Sequence, residues 1–148
     1  MTVQPASPDL TTAAAIATAP RGLAQAAAAG FGIVVAFQVA VAAGAPLGDA
    51  AWSGAHSGVL PDELRVASSV SAVVWLLAAV VVLARGGMGV PLPPRAALGG
   101  TRVILGILGV GAVMNAASSS PWERYGWAPF IVVLLVIVAR LARRIPRT

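Results

Sequence analysis

Four blocks of about twenty residues, each nearly free of charge, make up most of this 148-residue chain. A helix rises 1.5 Å per residue, so each block is long enough to cross a hydrocarbon core of about 30 Å. A soluble domain of this length has no interior large enough to hide so much apolar surface. Hydrophobic residues reach 58%, charged residues only 10%, and mean hydropathy is +0.87. Lipid is therefore the expected solvent, and the fold class is all-α, an integral membrane four-helix transmembrane bundle.

Residues 1–20 hold Pro5, Pro8 and Pro20 among Thr, Ser and Ala and read as a flexible cytoplasmic tail. A basic n-region is missing, so they make a poor signal peptide. Residues 21–148 form a single membrane domain with helices near 22–44, 61–85, 98–117 and 121–143. Pro61-Asp62-Glu63 has the look of a first helical turn, with Pro at its first position and acids at the positive dipole end. Arg85-Gly86-Gly87 stops the second helix, and Pro91, Pro93 and Pro94 exclude continuous helix before Leu98. Ser120-Pro121-Trp122-Glu123 matches a capping box and opens the fourth helix, where Pro129 either kinks the helix or delays its start.

All ten basic residues are Arg. Arg21, Arg85, Arg95, Arg102, Arg140, Arg143, Arg144 and Arg147 collect on one side of the spans, against Arg65 and Arg124 on the other. The positive-inside rule makes the first side cytoplasmic, with both termini there, and the expected location is the cell inner (plasma) membrane. Trp52, Trp122, Tyr125 and Trp127 fall on the outer side and suit an aromatic belt. The basic residues sit at span ends without interleaved aromatic platforms, which excludes a nucleic-acid surface. The expected partners are the lipid bilayer and either a second copy of the chain or a larger membrane complex.

Chemistry-bearing residues are few. Cysteine is absent, so disulfides and thiolate chemistry are excluded. His56, the single histidine, is a loop residue without companion ligands, so no metal and no cofactor are expected. No catalytic motif is present, and an enzyme is not expected. No acid lies near the midplane of a span, which disfavours a proton-coupled exporter. Small residues at four-residue spacing, Ala28, Gly32, Ala36, Ala40 and Gly44, and the set Gly106, Gly109, Ala112 and Ala116, read as helix-packing surfaces. Gln38, Ser68, Ser71 and Asn115 fall in the outer half of their helices and are expected to form a hydrogen-bonded polar layer. His56, Asp62, Glu63, Arg65, Asn115, Glu123 and Arg124 are the candidates for an outer-face binding site, with ion pairs between the two outer loops.

Three pieces carry a resemblance: Gly44-Ala45-Pro46, the run Gly58 to Arg65 (G-V-L-P-x-x-L-R), and Asn115 to Pro129 (N-x-x-S-x-S-x-x-E-R-x-x-W-x-P). In these the chain resembles a group of small, uncharacterised bacterial four-helix integral membrane proteins. The resemblance implies the topology and no activity. The residues favour first a structural or accessory component of the membrane. The alternative is a small-molecule or lipid binder or transporter whose site lies on the outer face between the two loops.

Overall fold

A computed structural model describes residues 10–143 of the chain, with side chains from Pro20 onward. The four expected helices are present: α1 (Leu10–Ala42), α2 (Asp62–Arg85), α3 (Pro94–Ala117) and α4 (Ala128–Arg143), the last preceded by a π-helical turn (Glu123–Trp127). Each contributes a span of 21 to 24 residues apolar enough to cross a membrane. Every helix packs on its neighbours in chain order, α1 closes the ring on α4, and the α1–α2 pair is the most intimate. At most 28% of any span is buried within the chain. The remaining apolar surface faces outward, as it must where lipid rather than a protein core is the solvent. This is an all-α four-helix bundle and a small multi-pass membrane protein.

The helix ends depart from expectation in three places. α1 starts at Leu10, so the second half of the expected tail is helical and Pro20 lies inside the helix. Ala-rich sequence on both sides favours helix strongly enough to accommodate one missing N–H. The first nine residues of the expected tail, and Arg144 and Arg147, lie outside the described residues. α3 begins four residues before Leu98, because Pro94 sits in its first turn, where the missing N–H has no intrahelical role. Before α4, Pro121 and Trp122 are already helical, and the ladder then widens into the π turn, in which the Ala128 amide donates to the Glu123 carbonyl. Pro129 explains the turn: its ring clashes with the carbonyl four residues earlier, and a wider turn relieves the clash without ending the helix.

The main core joins Ala24, Ala27 and Phe31 of α1 to Val82 of α2, Leu108 of α3 and Val138 and Leu141 of α4. A smaller cluster of Val41, Ala51 and Leu60 lies at the opposite end, under the α1–α2 loop. The expected small-residue tracks serve as packing surfaces only in part: Ala28 packs against the main core, but other members of the tracks do not make close approaches. A Cβ added at Gly32, Gly106 or Gly109 would meet nothing within 4 Å, whereas one at Gly30 would collide with Leu134 and one at Gly86 with Ala24. Ala36 and Ala116 are exposed. Close approach occurs where the ring of helices puts a neighbour, which regular spacing along one helix does not reveal.

Candidate functional site

The bundle has two unlike ends. One, the arginine-rich end, carries the α2–α3 loop. The other, the serine-rich end, carries the long α1–α2 loop and the short α3–α4 connection of Ser118, Ser119 and Ser120. These two segments are stitched together by hydrogen bonds. Ser120 Oγ donates to the Asp49 carbonyl at 2.6 Å, Ser119 Oγ donates to the Ser53 carbonyl at 2.9 Å, and the Ser53 amide donates to Glu123 Oε1 at 2.9 Å. Trp52 Nε1 donates to Ser68 Oγ of α2 at 3.3 Å.

The loop so held is conformationally costly. Trp52 and Ser53 adopt φ of 51° and 61°, and Gly54 follows at 67°. A left-handed backbone disfavours bulky side chains, and each such residue costs on the order of 1–3 kcal/mol that the surrounding contacts must offset. Gly48 anchors the same loop. Its amide donates to the Gly58 carbonyl at 2.8 Å, and a Cβ there would run into the His56 carbonyl.

Under this loop lies a partly open cavity of about 300 Å³. Its lid is Ala50 to Ser53. Its walls come from Phe37 and Gln38 (α1), Ser71 and Trp75 (α2), Gly111 and Asn115 (α3), and Glu123 and Trp127 at the head of α4. It reaches Leu108 and Leu134, near the middle of their helices and part of the main core. Phe37 and Trp127 pack ring to ring at 4.7 Å, and Trp75 stacks on Phe31 at 5.5 Å, so the aromatic wall is fixed by its own packing.

Glu123 is the charged member of the lining and is 9% exposed. The capping box expected from the sequence is only half made. The Glu123 amide donates to Ser120 Oγ at 3.4 Å, but the carboxylate does not return to the Ser120 amide, which instead donates to Ser118 Oγ at 3.0 Å. Ser118 thereby frees the Glu123 side chain to face the loop and the cavity.

The expected polar residues divide between the cavity and other tasks. Gln38, Ser71 and Asn115 line it together with Glu123. They do not form the expected mutually hydrogen-bonded layer: Asn115 Nδ2 donates to Gly111 of its own helix at 2.9 Å, Ser68 accepts from Trp52, and Gln38 Oε1 is buried without a donor. Arg65 donates through Nε to the Ala42 carbonyl at 3.0 Å and so caps the end of α1, and it pairs with Asp62 one turn away at 3.0 Å. Arg124 donates to the Ser118 carbonyl at 2.7 Å. Among the described residues no ion pair joins the two loops, because backbone carbonyls at the helix ends take both guanidinium groups instead. His56, Asp62 and Glu63 are exposed and do not line the cavity.

Of the aromatic belt, Trp122 and Tyr125 do face outward, 66% and 74% exposed, while Trp52 and Trp127 line the cavity. Trp52, Trp75 and the Ser53 amide are site elements that the sequence reading did not assign to a site. The signal available for Trp52 and Ser53 was a Trp-Ser-Gly step inside a loop otherwise rich in small residues, whereas Trp75 is a lone tryptophan inside the apolar α2. No family model, curated protein or solved structure matches this chain.

Proposed function

We propose that this membrane protein binds a small molecule or lipid in the cavity beneath the serine-rich end. One observation carries this reading: four polar side chains from four different helical elements, Gln38, Ser71, Asn115 and Glu123, converge on one cavity without being used up by one another. Polar groups gathered only to hold helices together would pair across the helix interfaces. Convergent polar groups in an apolar, aromatic-lined cavity are the ordinary composition of a ligand site. Strain concentrated in the lid at Trp52 and Ser53 supports it, since such backbone clusters at ligand clamps. The excess of Arg at the opposite end favours an orientation in the inner membrane with both termini cytoplasmic and the cavity toward the outer face.

The test is retention of a ligand. The tagged protein is extracted into polymer discs from its own membranes and analysed by native mass spectrometry beside Gly111→Leu, which places a side chain into the cavity where a Cβ meets only Ile131, at 4.0 Å. The expected result is a bound molecule retained by the wild type and lost from the variant. Retention of equal amounts by both, or of a stoichiometric protein partner and no small molecule, would return the chain to the role of an accessory membrane component.

A further inference from the structure

Resting on that binding reading, the geometry points to a ligand class: an organic cation, an ammonium group carried on a compact apolar or aromatic body. The argument is one of unmatched acceptors. Glu123 is nine-tenths buried at the cavity, and its Oε1 receives one neutral donor, the Ser53 amide. No donor among the described residues reaches Oε2. The two arginines nearest in the fold are committed elsewhere, Arg65 to Ala42 and Asp62 and Arg124 to Ser118. Gln38 adds a buried Oε1 without a donor, and Asn115 turns its Nδ2 to Gly111. The cavity therefore holds a carboxylate oxygen and an amide oxygen that receive no donor from the described residues.

A carboxylate on the wall of a largely apolar cavity with no counter-charge beside it is an unmatched partner, and a bound cation supplies that charge. An anionic ligand would face like charge, and a neutral apolar one would leave the acceptors unsatisfied. The rest of the lining suits the same guest. Phe37, Trp52, Trp75 and Trp127 line the cavity, and aromatic rings attract ammonium groups and accept an apolar body. A volume of about 300 Å³ lies at the small end of ligand sites, enough for a single-ring cation.

The test compares phenyltrimethylammonium with its uncharged isostere tert-butylbenzene, titrated into the protein in phosphatidylglycerol nanodiscs and read by fluorescence of the cavity tryptophans. The cation is expected to bind saturably, at least about tenfold more tightly than the isostere. Glu123→Gln, which keeps an acceptor for the Ser53 amide and removes an uncompensated charge, is expected to lower affinity for the cation about tenfold without lowering the unliganded melting midpoint. Equal affinity for cation and isostere in the wild type, or an undiminished affinity in a folded Glu123→Gln, would overturn the charge assignment and leave the cavity reading intact. Absence of saturable binding by either probe would overturn the cavity reading itself. If Glu123→Gln does not fold, the comparison of the two probes on the wild type decides alone. Repeating the titration with phosphatidylethanolamine in the discs locates the source: competition identifies a lipid head group, and an unchanged curve a free cation, both upholding the ammonium site.

Discussion

At the arginine-rich end of the bundle, Ala24 of α1 lies against Gly86 beyond α2, and Val82, Val138 and Leu141 are sealed from solvent. Arg85 reaches across to donate to the Ala142 carbonyl at 3.1 Å, satisfying one of the orphan acceptors of the last turn of α4. At the serine-rich end the helices enclose a cavity, and hydrogen bonds from side chains to the loop backbone add to the small apolar cluster of Val41, Ala51 and Leu60. One end is closed by close packing with a single cross-helix hydrogen bond, the other is fastened by a set of polar contacts beside a small apolar cluster. In lipid, where burial of apolar groups against other apolar groups gains little, shape and hydrogen bonds are the two means left for holding helices together. The end that uses hydrogen bonds is the end that can keep an open volume.

The largest test of this contrast is Gly48→Val. Its side chain would meet the His56 and Gly58 carbonyls, which cannot move without releasing the loop. We expect a loss of about 3 kcal/mol in reversible unfolding, with loss of ligand retention as the lid detaches. If stability held, the loop would not be the fastening of this end. Next comes Leu141→Ala at the opposite end, where a fully buried side chain leaves a void. About 2 kcal/mol is expected, the low end of the range for such truncations because lipid lessens the transfer component, and ligand retention should be unchanged. Coupled loss of binding would show that the two ends are not separable. The smallest effect is expected from Ser120→Ala, which removes the bond to Asp49 and the N-cap of the last helix, at about 1 kcal/mol. Its sharper readout is hydrogen exchange of the Ser53 amide, which should quicken while amides near Val82 stay protected.

The membrane fold was legible in the chain because each span needs only its own composition and length to be recognised. α2 and α4 end at the expected Arg85 and Arg143. α1 and α3 start earlier than their sequences predict, at or beyond prolines, where a missing N–H can mark either a first turn or a break, and only the packed chain distinguishes them. Part of the site was legible as well. Gln38, Ser71 and Asn115 stood out as polar residues in apolar helices, and a polar side chain in lipid must turn inward.

What joins those residues to Glu123 could not be read along the chain. The Ser53 amide and the Glu123 carboxylate are 70 positions apart, and Ser120 and Asp49 are 71 apart. The sequence by itself determined four apolar spans, their polar exceptions and the asymmetry of Arg between the two ends, because hydropathy and charge act residue by residue against the solvent. The tertiary structure alone decided that Ser118 displaces Glu123 from its capping box, that Arg65 and Arg124 are held by backbone carbonyls, and that a buried carboxylate is left facing a cavity. Each of these is a competition among partners for the same donor or acceptor, and such competitions are settled only when distant segments meet.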